Sequence, residues 1–243
     1  MQEQGIKVSF VIPAYNEEEF IGRCLESILR ETASCPLPTE IIVVNNNSSD
    51  HTAEIAGTFS GVRVVLETKQ GLVQSRQRGF EEAKGELIAN IDSDVIMPSG
   101  WLSTVLDRFQ KHDIVALSGP YIYYDLPSFN RAVVRLYYGI AYVLYLFHGA
   151  LLQGGNFVLK RSALAAIGGY RKDLAFWGED TDVAIRIHKV GRVMFTFALP
   201  MLTSARRLKT EGIIRTGYNY VMNYAWIIFF HRPYTSQPQQ DHR

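Results

Sequence analysis

Apolar positions along the chain switch repeatedly between two spacings. Residues 7–12 form a continuous β-branched and apolar run, as in a strand buried on both faces. Residues 17–30 then place Phe20, Ile21, Cys24, Leu25, Ile28 and Leu29 on one face of a helix. The alternation continues with strand 41–44, helix 51–59 capped by Asp50, strand 62–66, and helix 72–83 stopped by Lys84-Gly85. Strand 86–91, helix 101–110 opened by Pro98-Ser-Gly100, and strand 114–118 follow. Four successive strand-then-helix units predict an α/β fold: a mostly parallel central sheet with helices on both faces.

The second half is less regular. A long aromatic helix is expected over 130–152, then Gly154-Gly155-Asn156, strand 157–160 and helix 162–167. A glycine and aromatic loop (168–178), helix 180–190 and strand 192–197 complete the pattern. No repeat, low-complexity tract or linker interrupts the chain. Residues 1–232 therefore read as one domain with halves of about 1–118 and 119–232, and the Gln- and Pro-rich tail 233–243 is expected to be flexible.

Charge and composition narrow the partners. The 243 residues are 47% hydrophobic and 20% charged, with a formal net charge of +1. That balance offers no footprint for a polyanion, so nucleic acid is not expected. Cys24 and Cys35 make no disulfide framework, and the first residues carry no signal-peptide pattern, so a cytoplasmic location is expected. Two aromatic stretches qualify that reading: LYYGIAYVLYLFHGALL (136–152), without a formal charge, and GYNYVMNYAWIIFFHR (217–232). Tyrosines suit either a pocket rim or a membrane interface, so internal packing and peripheral contact with the cytoplasmic membrane both stand as readings.

The candidate chemistry sits where strands end, the edge at which open α/β sheets bind ligands. After the first strand comes Pro13-Ala14-Tyr15-Asn16-Glu17, and after the second Asn45-Asn46-Asn47-Ser48-Ser49-Asp50. Glu67-Thr-Lys-Gln-Gly71 and Asp92-Ser93-Asp94 follow the next two. All four are rich in hydrogen-bonding side chains. Asp92 and Asp94 raise a specific question, because residues i and i+2 of extended chain point to the same side. Two like charges held together fit a divalent cation; two solvated loop acids are the plainer alternative.

The stretches VSFVIPAYNEEEFIGRCLESIL, EIIVVNNNSSDHTAEIA, GLVQSRQRGFEEAKGELIANIDSD and FWGEDTDVAIRIHKVGRV resemble, in order and spacing, the signatures of inverting glycosyltransferases of family 2. The resemblance implies a GT-A fold and transfer of sugar from a nucleoside diphosphate sugar. It implies that Pro13, Ala14, Tyr15 and Glu17 pack against base and ribose, and that Asn45 and Asn46 stand where the family usually has aspartates. Arg76 matches a basic residue near base or phosphate. Asp92-Ser93-Asp94 matches the motif for the metal, Mg or Mn, with Asp94 the more direct ligand and Asp92 nearer the ribose. Glu179-Asp180 matches the pair holding the general base, and Gly155 and Asn156 lie on the acceptor side. Trp177, in the aromatic approach to that pair, suits stacking on a sugar, or packing alone.

The chemistry of the residues agrees. Sugar transfer leaves negative charge growing on the diphosphate, which a hard cation with one or two carboxylate ligands stabilises. The acceptor hydroxyl must lose a proton as it attacks; Asp180, at the start of a helix, is placed to take it, with Glu179 and Asp182 as competitors. Arg206 or Arg207 is a candidate for the diphosphate, or a surface basic pair. The acceptor is expected to be a glycan or a lipid-linked group. Asparagine in place of the first aspartate weakens the expectation of a uridine donor. Two alternatives remain: a nucleotidyltransferase, against which the acidic loop PAYNEEE argues, and a non-catalytic sugar-nucleotide-binding module.

Overall fold

A computed structural model describes residues 6–174, 178–230 and 234 of the chain. Its main sheet has the order β3-β2-β1-β4-β8-β6-β9. These strands are β1 (Val8–Ala14), β2 (Thr39–Asn45), β3 (Val62–Leu66), β4 (Leu87–Ile91), β6 (Ala116–Ser118), β8 (Asn156–Lys160) and β9 (Val193–Phe195). Only β8 runs against its neighbours, β4 and β6; the other pairings are parallel. Helices α1 (Ile21–Ala33), α2 (Thr52–Gly57), α3 (Leu72–Glu82), α4 (Trp101–Lys111), α6 (Arg161–Ala166) and α7 (Glu179–His188) accompany it.

Strand β1 explains the two-layered core. Every one of its residues is buried, and alternate side chains enter opposite layers. Phe10 and Ile12 join Ile21, Leu25, Trp101 and Leu102 on the α1/α4 side. Val11 joins Val73, Val183 and Ile187 on the α3/α7 side. Pro13 is tolerated within this central strand for a local reason. Ala14 accepts a hydrogen bond from Asn46 N on the β2 side, so the missing N–H of its neighbour faces β4, where the ladder has already ended at Val11.

The chain leaves β1 for β2 and β3 on one flank and for β4 on the other. The crevice beyond the C-terminal ends of β1 and β4 is thus the topological switch point, the place such sheets reserve for ligands.

A second, small sheet escapes sequence reading: β5 (Val95–Ile96), β7 (Tyr121–Tyr123) and β10 (Met201–Thr203), in the order β5-β10-β7. Strands of two and three residues are too short to show a periodicity. The sheet nonetheless pairs Thr203 with Val95, bringing the segment after β10 beside Asp94. Helix α8 (Arg206–Glu211) follows directly.

The aromatic stretches are helices α5 (Ser128–His148) and α9 (Ile213–Phe230). Helix α5 stops four residues earlier than the pattern predicts. Gly149 adopts φ 70°, and its N–H returns to the Tyr145 carbonyl at 2.7 Å, a left-handed stop that glycine adopts without strain. Helix α1 begins later than expected, since the Glu17 carbonyl first accepts the N–H groups of Phe20 and Ile21 in a turn. Among the described residues, no helix is long and apolar enough to cross a membrane. Trp177 and the tail expectation for 233–243, Tyr234 apart, fall outside the described residues.

Candidate active site

Four separate parts of the chain meet at the switch point. Arg76 projects from α3, Asp92 leaves the end of β4, Gly154 and Gly155 precede β8, and Glu179 and Asp180 open α7. The Arg76 side chain is 1% exposed. Its Nη1 donates to Glu179 Oε1 at 2.6 Å and its Nη2 to Asp92 Oδ1 at 3.2 Å, while its guanidinium lies 5.2 Å from the Phe157 ring centroid. The side chain expected near base or phosphate is therefore a buried strut between two acids.

The Gly154-Gly155 turn sits between the two carboxylates that matter most. Gly154 N donates to Asp180 Oδ2 at 2.9 Å. At Gly155, φ is +74° and a Cβ would fall 2.1 Å from Asp92 Cγ. Glycine is required there on both counts. Asp180 Oδ1 accepts the Thr181 N–H at 2.7 Å, and each carboxylate oxygen keeps acceptor capacity beyond these bonds. Tyr121 completes the ring: its hydroxyl lies 2.9 Å from Asp92 Oδ2 and 2.5 Å from the Gly154 carbonyl, to either of which it donates. Burial and the charges of Asp92 and Asp94 push the Tyr121 phenol well above its ordinary range, so it stays a donor. Sequence reading missed this residue; its strand has three members, and a tyrosine in GPYIYY carries no motif.

Burial separates the three candidate bases. Glu179 is buried against Arg76. Asp182 is buried and tied to Arg186 Nε at 2.7 Å, with Arg171 also beside it. Asp180 is half-buried and, with Glu179, lines the cavity over the site. Burial, only partly offset by Arg76, raises Glu179 to about 7. It raises Asp180 as well, against the same Arg76 charge and the hydrogen bonds from Thr181 and Gly154. Glu179 and Asp180 share the field of this one guanidinium, which offsets only part of the burial that raises both.

The donor-side loops are knitted to one another. Glu17 N donates to Thr52 Oγ1 at 2.7 Å, Asn16 N to Ser48 Oγ at 3.1 Å, and Ser49 N to Asn16 Oδ1 at 2.9 Å. Pro13, Ala14, Glu17 and Ser93 are buried, while Tyr15 and Asn45 are half-buried. Asn45 Oδ1 accepts the Ser48 N–H at 3.1 Å. Two of the expected contact residues face inward instead. Asn46 Nδ2 donates to the Glu67 and Lys69 carbonyls at 3.0 and 2.8 Å, and its Oδ1 accepts the Gly71 N–H at 2.7 Å. Asn156 is fully buried; its Oδ1 accepts from Trp101 Nε1 at 3.1 Å and its Nδ2 donates to the Gly119 and Leu199 carbonyls. Both amides are spent holding loops, and the structure does not bring Asn156 to the acceptor side of the cleft.

For a cation, the described residues include no group of three or more His, Cys, Asp or Glu able to hold one. They do present Asp92 and Asp94 at the end of β4, all hard oxygen donors. Mg-type ions are commonly held by one or two carboxylates, with substrate phosphates supplying the rest, so the donor set fits. Arg206 Nη2 lies 2.6 Å from Glu17 Oε1 and 3.4 Å from Asp94 Oδ2, and its guanidinium sits over the Phe20 ring at 4.6 Å. The cationic segment after β10 thus reaches this edge of the cleft.

Comparison with known proteins agrees with this architecture. The profile described as Glycosyl transferase family 2 matches residues 9–168, and one described as N-terminal domain of galactosyltransferase matches 134–209. Glycosyltransferase GlyG of Streptococcus pneumoniae serotype 4 is 35% identical over 123 residues, 49% of this chain and 40% of that protein. Dolichol-phosphate mannosyltransferase of Pyrococcus furiosus is 32% identical over 121 residues, 48% of this chain and 34% of that protein. The matches thus span two fifths or less of these relatives. Among solved structures, the Pyrobaculum calidifontis mannosyltransferase PcManGT, in complex with GDP-Man and Mn2+, superimposes with a TM-score of 0.64 at 18% identity, over 88% of this chain and 63% of that one. Glucosyl-3-phosphoglycerate synthase of Mycobacterium tuberculosis, with Mn2+ and UDP, gives 0.63 at 20% identity, over 89% and 78%. These structural likenesses establish the GT-A fold, and the profile spanning most of the chain establishes that this protein is a member of glycosyltransferase family 2.

Proposed function

We propose that this glycosyltransferase moves a sugar from a nucleoside diphosphate donor to an acceptor hydroxyl with inversion at the anomeric carbon, using Asp180 as general base. The acceptor belongs to a glycan or a lipid. The observation that carries the reading is the approach of Asp180 and Asp92 to the two halves of one glycine turn, with Arg76 buried behind them. A base carboxylate and a carboxylate at the diphosphate end must lie on either side of the sugar for direct displacement.

The division of labour follows from burial. The raised Asp180 carboxyl is a stronger base than an exposed aspartate, and its hydrogen bonds from Gly154 and Thr181 aim it at the cleft. Glu179, buried and paired with Arg76, fixes the first turn of α7. Tyr121 holds Asp92 and the Gly154 carbonyl together. Tyr15 and Asn45 border the nucleoside. Asp94, with Asp92, would hold a divalent cation, which when bound supplies Lewis-acid stabilisation of the leaving diphosphate. Arg206 offers a guanidinium for the same phosphates.

The donor complexes of the structural neighbours contain GDP-Man, UDP and UDP-GlcNAc, so the first screen spans UDP-, GDP- and TDP-sugars with and without Mn or Mg. Binding should raise the melting temperature by mass action, and more so with the cation. NMR of the product should show the anomeric configuration opposite to that of the donor. Retention of configuration, or donor binding and turnover indifferent to chelator, would overturn this mechanism.

A further inference from the structure

A cavity of about 250 Å³ begins at Arg76, Asp92, Glu179 and Asp180 and runs outward between α5 and α9. Its inner end is charged. Its walls are mostly apolar, with Arg207 a charged exception: Tyr137, Ala141 and Leu144 of α5 face Gly217, Val221 and Tyr224 of α9. Tyr138 and Tyr224 add apolar ring surface along it, because their hydroxyls are already hydrogen-bonded. Tyr138 Oη donates to Gln153 Oε1 at 2.8 Å and Tyr224 Oη to the Ala150 carbonyl at 2.9 Å. A channel with a polar head end and a hydrocarbon-like barrel is shaped for an amphiphile.

The outer mouth leads onto an apolar surface. Ile140 and Val221 line the cavity and are also 46% and 42% exposed. From that mouth, exposed side chains continue at helical spacing along α5, with Leu136 65% and Phe147 82% exposed, and along α9 through Ile214 and Tyr218. Neither helix contains an acidic residue; their formal charges are Arg131, Arg135 and Arg215. Exposed apolar side chains with a purely cationic accompaniment complement an anionic bilayer surface.

We infer that the cavity between α5 and α9 binds the hydrocarbon chain of a lipid acceptor drawn from an anionic bilayer, with the chain's hydroxyl-bearing head beside Asp180. This rests on the proposed transfer reaction for the identity of the acceptor end, but the chain site is tested by binding alone.

The probe is a homologous series of n-alkyl β-glucosides below their micellar concentrations, titrated calorimetrically onto the intact chain. Affinity should rise about fourfold for each added methylene until the cavity is filled. Ala141→Trp, which fills the barrel, should remove that gain while leaving the thermal shift by donor sugar intact. Val221→Trp at the half-exposed mouth provides the same test with little demand on folding. Vesicles of phosphatidylcholine with phosphatidylglycerol should sediment the protein better than phosphatidylcholine alone, and Leu136→Glu with Phe147→Glu should abolish the difference. Affinity independent of chain length, or undiminished in both tryptophan variants, overturns the inference. So does a concentration-dependent dimer lost in the glutamate variant without vesicle binding, since a second copy then covers the face. Transfer to a soluble saccharide without chain binding refutes the channel and leaves glycosyl transfer standing. Chain binding without transfer from any donor supports the channel and refutes the reaction.

Discussion

Arg76 Nη1 lies 2.6 Å from Glu179 Oε1 with the arginine buried, so a charge from α3 is pinned to the first turn of α7. The same guanidinium reaches Asp92 at 3.2 Å. This one side chain thus ties the end of β4 to the start of α7. Removing it leaves a buried acid without its counter-charge, which costs far more than a surface pair contributes. Arg76→Met should lower the unfolding free energy by roughly 3–5 kcal/mol. Urea denaturation measures it, and part of the loss should return under mildly acidic conditions, where Glu179 takes up a proton. A loss below about 1 kcal/mol would mean that the pair does not hold α7.

Glu179 gives a pH signature of its own. Its folded value, about 7, lies above the ordinary 4.5. A raised folded value means the native state holds the proton more tightly. Its contribution to stability is therefore complete below the unfolded value and fades as pH climbs through the folded one. Glu179→Gln removes this titration while keeping an oxygen acceptor for Arg76. The melting temperature of the parent relative to the variant should fall between pH 4.5 and 7, by an amount equivalent to roughly 1–3 kcal/mol. Parallel profiles across that window would show that Glu179 ionises normally.

Asp180 should behave differently, because the role proposed for it is in turnover. Asp180→Asn is nearly isosteric but cannot take a proton, and its single side-chain oxygen keeps only one of the Gly154 and Thr181 contacts. It should reduce kcat by about 10²–10⁴ and leave the donor-induced thermal shift in place. In the parent enzyme, kcat/KM should fall on the acid side as the raised carboxyl becomes protonated. Full turnover by the folded variant would transfer the base role elsewhere.

The sheet and its carboxylates could be read in advance for a definite reason. Residues such as Phe10, Val11 and Ile12 alternate between two covered faces, and the loops at strand ends then share one edge. Asp92 and Asp94 announce themselves by their i, i+2 spacing. What spacing cannot reveal is where each polar group spends its hydrogen bonds. Asn46 and Asn156 have the chemistry of ligand contacts but hold loops inside the protein. Tyr121 belongs to the site yet sits in a strand of three residues whose pairing with β10 is set by distant sequence. The cavity between α5 and α9 was hidden similarly: an aromatic helix pattern does not say which rings face solvent, a partner helix or an empty space.

Gly155 isolates geometry from charge. Its φ of +74° and the 2.1 Å approach of a built Cβ to Asp92 Cγ mean that Gly155→Ala must move Asp92 or the turn. The strained backbone alone costs about 1–3 kcal/mol. Displacing Asp92 should also weaken cation-dependent donor binding, seen as a smaller increment in melting temperature on adding Mn to the donor complex. An unchanged increment would show that Asp92 lies outside the donor site.

Arg206 places a positive charge 3.4 Å from Asp94 Oδ2 while it holds Glu17 at 2.6 Å. A divalent ion arriving at Asp94 without a donor meets a like charge, which must be partly displaced. Once a diphosphate is present, both cations have oxygens to share, and the repulsion is offset. Arg206→Gln should therefore tighten Mn binding to the free protein several-fold, on the scale of a tenfold change per about 1.4 kcal/mol, yet lower turnover because the phosphates lose a guanidinium. Asp94→Asn should weaken Mn in both states. Mn titration followed by electron paramagnetic resonance reads each case directly. If Arg206→Gln leaves free-protein Mn affinity unchanged while Asp94→Asn abolishes it, the ion binds on the side of Asp94 away from Arg206, and the guanidinium serves Glu17 alone.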